Sequence, residues 1–282
     1  MKLKLFFLLL FTFFSHRVFN AQEHKNIAIT FDDLPTLSHN LLDSTQQINY
    51  FKRILSVLEN HNIIATGFVV GRLVKPFNSY LIGKFLDKGH FVGNHTYSHF
   101  DLNETSCNNF QNDIEKNDNL ISHFYKNKPK YFRYPMLHCG DSKIKRDSIK
   151  NYLKENNFVI APVTIDNDEF KYNAEFDVAF FYGDSTKMKE IGTQYLKHMI
   201  VKSQYFENLG YEIENRTVNH ILLLHMNLIN SFFLDDLLNW YKLNNWNFIS
   251  LEKALSDKIY QYEDKYYGKK GLSWLERITY EN

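Results

Sequence analysis

The stretch whose reading decides the fold is Ile27-Ala28-Ile29-Thr30-Phe31-Asp32-Asp33-Leu34-Pro35. Its apolar start, Ile27-Ala28-Ile29, reads as a buried strand, and two adjacent carboxylates stand at the strand's end. Like charges that close resist joint ionisation, and burial penalises both. A site that uses them differently removes the conflict: one binds a cation and the other stays free as a base. Pro35 brings no amide proton and stops the strand. The competing reading is an Asp-Asp-x-Pro turn with both side chains in water. The stretch alone does not choose between the two.

Working outward, strand-like and helical segments alternate about seven times. Segments 63–70, 90–94, 130–133, 158–165, 220–224 and 248–250 read as strands. Ser44 or Thr45 can cap a first helix with Ile48, Phe51, Ile54, Leu55 and Leu58 on one face. Helices are also expected over 78–88, 142–156, 186–208, 231–243 and 251–259, and in a polar segment with Phe110, Ile114, Ile121 and Phe124 on one face. Segment 170–182 is aromatic and irregular, and the charged, aromatic tail 260–282 fits no pattern. With no repeats and no Gly/Ser or Pro linker, one domain is expected over 22–282, with its core at about 26–250. This alternation implies parallel strands joined by right-handed helical crossovers. The fold class is therefore α/β, and the size suits a closed or nearly closed TIM-like (β/α) barrel of about seven strands. An open doubly wound sheet is the runner-up; it more often carries a Gly-rich phosphate loop, and none is present.

Composition narrows the function. The 282 residues are 44% hydrophobic and 23% charged, as in a soluble globular protein, with 16% aromatics that fill cores and line ligand clefts. The N-terminus combines Lys2 and Lys4, an apolar run from Leu5 to Phe14 and Ala21 before a cleavage point. It reads as a signal peptide over residues 1–21, so export to a periplasmic or extracellular space is expected. Ten apolar residues are too few for a membrane span, which needs roughly 20. Removing residues 1–21 takes away Lys2, Lys4 and Arg17 and no acid, which moves the net charge from +1 to −2. No broad positive field remains for nucleic acid or anionic membranes. The two cysteines, Cys107 and Cys139, can form a bridge in an exported chain, and only geometry decides that.

In such barrels functional residues sit at the C-terminal ends of strands. Asp32 and Asp33 follow the first strand, His95 and His99 the strand ending at Asn94, and Arg133 ends the next. Asp166, Asp168 and Glu169 follow Ile165, and His225 follows Leu222-Leu223-Leu224. Five strand ends therefore offer reactive groups to one face. In Asn94-His95-Thr96-Tyr97-Ser98-His99 the i, i+4 spacing puts both imidazoles on one face of a helical turn, where they can chelate one ion. With Asp33 they make three protein ligands of a catalytic metal site, suited to Zn²⁺ and also to Co²⁺, Mn²⁺, Ni²⁺ or Fe²⁺. Each residue alone has a plainer reading. Arg133 can be a surface ion-pair partner, His225 a core histidine, the Asp166 cluster a solvated turn, and Trp240, Trp246, Trp274 and Phe170 core aromatics.

Four motifs in order resemble those of the polysaccharide deacetylases, carbohydrate esterase family 4. They are Thr30-Phe31-Asp32-Asp33-Leu34-Pro35, His95-Thr96-Tyr97-Ser98-His99, Arg133-Tyr134-Pro135-Met136 and Leu223-Leu224-His225. The resemblance implies a distorted β/α barrel and metal-dependent removal of N- or O-acetyl groups from glycans. It implies Asp33, His95 and His99 as metal ligands, Asp32 as base, Arg133 as its partner, His225 as acid and the Met136 N–H as oxyanion donor. Tyr97 and Tyr134 flank the motifs and are candidates to line the cleft. Two departures stand out. Met136 replaces a usual Tyr. A usual Asp-x-x-Asp-Trp reads Asp166-Asn167-Asp168-Glu169-Phe170, so Asp166, Asp168 or Glu169 can support His225. A glycan-binding barrel without catalysis and a metal phosphoesterase are the competing functions. The phosphoesterase would need more metal carboxylates or phosphate-binding cations than Arg133 supplies.

Overall fold

The computed structural model describes residues 24–37, 41–125 and 128–281. The expected signal peptide lies outside them. The spine is β1 (Lys25–Leu34), in which Ile27 through Leu34 are all buried, as in a strand covered on both faces. There follow α1 (Ser44–Asn60), β2 (Thr66–Val69), α2 (Tyr80–Asp87), β3 (Phe91–Asn94) and α3 (Cys107–Ile121). Next come β4 (Lys130–Phe132), α4 (Lys143–Glu155), β5 (Phe158–Ile160), α5 (Glu169–Phe181) and α6 (Ser185–Glu214). The chain ends with β6 (Asn219–His225), α7 (Leu228–Leu243), β7 (Trp246–Ile249), α8 (Leu251–Leu255) and α9 (Trp274–Ile278).

Among the described residues all seven strands are parallel, in the order β5-β4-β3-β2-β1-β6, with β7 also on β1. A strand has two edges, and β6 runs along one of them from Asn26↔Asn219 to Asp32↔His225. The other edge is therefore shared: β7 pairs with Lys25–Ala28 and β2 joins from Thr30 onward. The expected strand over 158–165 is cut short. Pro162 has no amide proton, and β5 stops at Ile160. The chain then reaches β6, where Ile165 bridges Leu222 and accepts from the Leu223 N–H at 3.3 Å. The ends of the sheet thus meet through a bridge and not a full ladder, which makes the barrel closed but distorted.

The tail that sequence patterns left unplaced fills this seam. The Trp274 N–H donates to the Val163 carbonyl at 2.6 Å and the Ser273 hydroxyl to the Thr164 carbonyl at 2.8 Å. The buried Trp274 indole donates to the Ile259 carbonyl and packs nearly parallel to Tyr260. Three further expectations are corrected. Segment 170–182 is helical (α5), and its exposed Phe170, Val178 and Phe181 beside buried Phe176 and Ala179 blur the helical period. α6 runs to Glu214, past the expected end at 208. The cap of α1 is Asp43, in a reciprocal capping box with Gln46, and not Ser44 or Thr45. Cys107 and Cys139 are both free thiols.

Trp274→Ala tests the plug. Deleting a buried Trp side chain is expected to cost about 3–5 kcal/mol in urea unfolding. A loss below about 1 kcal/mol would mean that the tail is an appendage.

Candidate active site

Side chains of adjacent residues in a regular strand point to opposite faces. Asp32 and Asp33 nevertheless line the same cleft. The cause is a bulge: the β1–β2 register passes from Phe31↔Gly67 to Leu34↔Val69, three steps on β1 against two on β2. Asp33 takes up the extra residue with φ 61°, and both carboxylates face the cleft. Asp32 and Asp33 are both buried.

His95 and His99 do not lie on a helical turn. They belong to an irregular loop after β3, with Thr96 at φ 61° and His99 at φ 54°. α3 holds this loop. Asp113 accepts the Ser98 N–H at 2.7 Å on its carboxylate and the Tyr97 N–H on its backbone carbonyl. Asn117 donates to Asn94, whose side chain accepts the Thr96 N–H and donates to the Ile114 carbonyl. The expected metal ligands converge despite the missing helix: one ligand atom from each of Asp33, His95 and His99 lies within 4.8 Å of the others.

The donor set fits a divalent metal. His95 Nδ1 lies 2.8 Å from the Arg133 carbonyl, which can only accept, so Nδ1 carries the proton and Nε2 keeps its lone pair. Burial, with the neighbouring His99 adding to it, holds His95 down at about 3, so the ring is neutral at neutral pH. Two imidazoles and a carboxylate are the residues expected to hold such an ion.

Arg133 is fully buried and not a surface partner. Its Nη1 donates to Asp32 Oδ1 at 3.0 Å and to the Thr30 hydroxyl at 2.8 Å, and its Nε donates to the Ala161 carbonyl. Burial pushes the Asp32 carboxyl up and the Arg133 guanidinium draws it back, with the net direction upward. The second Asp32 oxygen lies 3.5 Å from His95 Nε2. Asp32 is therefore an oriented carboxylate of raised basicity beside the candidate metal ligands.

On the opposite wall, His225 Nδ1 meets Glu169 Oε2 at 2.7 Å. Among the three acids that sequence left open as its support, Glu169 is the partner. Its other oxygen accepts from the side-chain amides of Asn227 and Asn230 and from the His225 N–H. Burial alone would push His225 down; the Glu169 carboxylate outweighs it with help from Asp33 and Asp32, and His225 is raised to about 9. Asp166 lines the cleft, and burial raises its carboxyl. Asp168 starts α5 with φ 54° and pairs with Lys171.

Asp32, Asp33, His95, His99, Asp166, Asp168 and His225 border a cleft of about 480 Å³. Met136, Leu137, Leu223 and Phe170 supply apolar wall. Phe170 is 46% exposed, with its ring turned edgewise towards His225, which overturns its reading as a core aromatic. Trp246 and Trp274 are buried, and Trp240 packs against the core. Tyr97 and Tyr134 are not among the lining residues. The Tyr97 ring packs over Gly71 under the Lys116 ammonium, 3.5 Å from the ring centroid. Tyr134 is buried against Phe110 and Phe132. Sequence reasoning missed Asp113, Asn117, Asn227 and Asn230. A signal existed for the first pair: both sit on the buried face of α3 with Phe110, Ile114 and Ile121.

Residues 19–157 match the family described as polysaccharide deacetylase. The chain belongs to this family. It is 28% identical over 145 residues to a peptidoglycan-N-acetylglucosamine deacetylase of Bacillus cereus, covering 51% of this chain and 46% of that protein. The chain spans about half the length of the curated relatives it matches. Its fold is that of a polysaccharide deacetylase crystal structure from Bacillus cereus, with a TM-score of 0.58 at 21% identity over 80% of this chain and 91% of that one. A CE4 family pseudoenzyme from Bacillus anthracis matches with a TM-score of 0.57 at 20% identity, over 83% of this chain and 66% of that one. The polysaccharide deacetylase fold is thus shared by proteins with and without activity.

The His225–Glu169 pair has a pH signature. Because the folded His225 is raised above its usual 6.5, its contribution to stability is complete below about 6.5 and is lost as pH rises through about 9. NMR titration of the His225 ring is expected to show a midpoint near 9. In Glu169→Gln the midpoint should fall by more than about one unit, since the opposing charge is gone. An unmoved midpoint would remove Glu169 as the cause.

Proposed function

We propose that this chain hydrolyses acetyl groups from a glycan, using a divalent metal, an Asp32 base and a His225 acid. One observation carries the reading: Asp33, His95, His99, Asp32 and His225 line one cleft, with Arg133 buried behind Asp32 and Glu169 buried behind His225. A divalent metal held there, most simply Zn²⁺, would supply Lewis acidity at the acetyl carbonyl. Asp32 takes the proton of the attacking water as water adds to that carbonyl. Arg133 holds Asp32 in place and compensates its charge. The Met136 N–H donates to the developing oxyanion. His225 delivers its proton from Nε2 to the departing nitrogen or oxygen as the bond to the acetyl carbon breaks. Glu169 keeps Nδ1 engaged and the ring charged until then.

Phe170 offers an apolar face for a sugar ring beside His225. The matched relatives named as peptidoglycan deacetylases make an acetylated wall glycan the first substrate to test. Export through residues 1–21 belongs to the same proposal. The pseudoenzyme relative favours a second reading, a glycan-binding barrel without turnover. Here the ligand, base and acid positions all carry residues able to act, which supports catalysis.

Acetate release from N-acetylglucosamine oligomers, peptidoglycan and acetylated xylan should stop with chelator and return with added Zn²⁺ or Co²⁺. Asp32→Asn is expected to lower turnover by about 10²–10⁴ while metal content stays, since an oriented base is worth that much. His99→Ala should lose metal and turnover together. An active, metal-free His99→Ala protein would sink the site. Retained turnover in Asp32→Asn would remove the base.

A further inference from the structure

Met136 and Leu137 both sit at φ 55°, in the left-handed region that non-glycine residues avoid. Two such residues in a row persist only where their surroundings hold them. Much of that hold comes from the C-terminal segment, which lies beyond the 19–157 family match. Gly271 lines the cleft at this loop, and a Cβ on it would stand 2.1 Å from the Met136 carbonyl oxygen. Gly271 does not itself use left-handed backbone, so what demands glycine there is space. Three residues earlier, the Gly268 N–H donates to the Gly140 carbonyl at 3.1 Å. Six residues later, the buried Arg277 points Nη1 at the Cys139 sulfur while pairing with Asp264. Across the loop, the His138 ring is bound to Asp101 at 2.8 Å.

We propose that the segment from Asp264 to Ile278 is a clamp on the 136–140 loop, and that Gly271 is a positioning residue for the Met136 amide. This rests on the deacetylase reading, in which that amide faces the oxyanion. The Leu137 N–H donates to the Tyr134 carbonyl at 3.1 Å, which ties the peptide bearing the Met136 carbonyl into the turn, so displacing that peptide carries the Met136 amide with it. A methyl at position 271 cannot stay 2.1 Å from the carbonyl, so the loop backbone must move. Misplacement by about 1 Å in a reacting site can cost about 10²-fold in rate. The metal ligands lie on other loops and are untouched by the change.

The test compares Gly271→Ala with the unaltered chain, both loaded with Zn²⁺, on an N-acetylglucosamine oligomer. Expected are a kcat at least about tenfold lower, a KM within about twofold, and unchanged bound zinc. Gly83→Ala, where an added Cβ meets nothing within 4 Å, serves as the control and should leave kcat unchanged. A Gly271→Ala protein with the kcat of the unaltered chain overturns the inference. If Gly271→Ala does not fold, Met136→Gly is added, because glycine accepts the displaced backbone. The double variant is then measured against Met136→Gly alone. A further tenfold loss supports the clamp, and equal kcat values overturn it. No acetate release from the unaltered, metal-loaded chain sinks the deacetylase reading and this inference together, whereas an unchanged variant ratio sinks this inference alone.

Discussion

The site depends on one buried guanidinium. Arg133 lies inside the barrel with its Cζ 4.3 Å from the Phe68 ring centroid. A cation there carries a large desolvation penalty unless it is paired and hydrogen-bonded. Asp32 supplies the opposite charge, and Thr30 and the Ala161 carbonyl supply acceptors. The same residue acts again through its backbone, whose carbonyl sets the His95 tautomer. One side chain thus orients a carboxylate, and its own peptide orients a candidate metal ligand. Neither arrangement survives a shift of β4 along β3, where Asn94 faces Phe132.

The two walls of the cleft work in opposite senses. Asp32 is pushed towards holding a proton by burial and restrained by a cation. His225 is pushed towards losing its proton by burial and held charged by an anion. In both cases the low-dielectric surroundings amplify the partner as well as the penalty. Environments that set a basic carboxylate opposite a protonated imidazole are the condition for moving a proton from one side of a substrate to the other.

Much of this was legible in sequence, and the limits are physical. The residues at strand ends declared themselves because a parallel barrel sends every strand end to one face. The support of His225 was legible only as a choice among three acids, because which carboxylate reaches Nδ1 depends on where α5 starts. Tyr97 and Tyr134 were misjudged because adjacency in the chain is not adjacency in direction: Arg133 points inward and Tyr134 turns to Phe110. The helical turn expected for His95 and His99 failed for a related reason. Hydrogen bonds from the next helix, α3, shape that loop, and the i, i+4 spacing does not report them. The tail carries no period because it forms no regular layer; its contacts follow a seam that exists only once β5 and β6 are in place.

The seam filler also sets an order on the making of the protein. The candidate metal ligands and Arg133 lie within residues 33–133, while the residues that fill the seam at Val163 and Thr164 are 273 and 274. Chains are synthesised from the N-terminus, and domains fold as their parts become available. The candidate ion-binding groups therefore emerge well before the segment that fills the seam. A chain still short of Trp274 holds Val163 and Thr164 carbonyls without their final partners. The candidate metal ligands and the residues that fill the seam are separated, along this chain, by more than a hundred residues of synthesis.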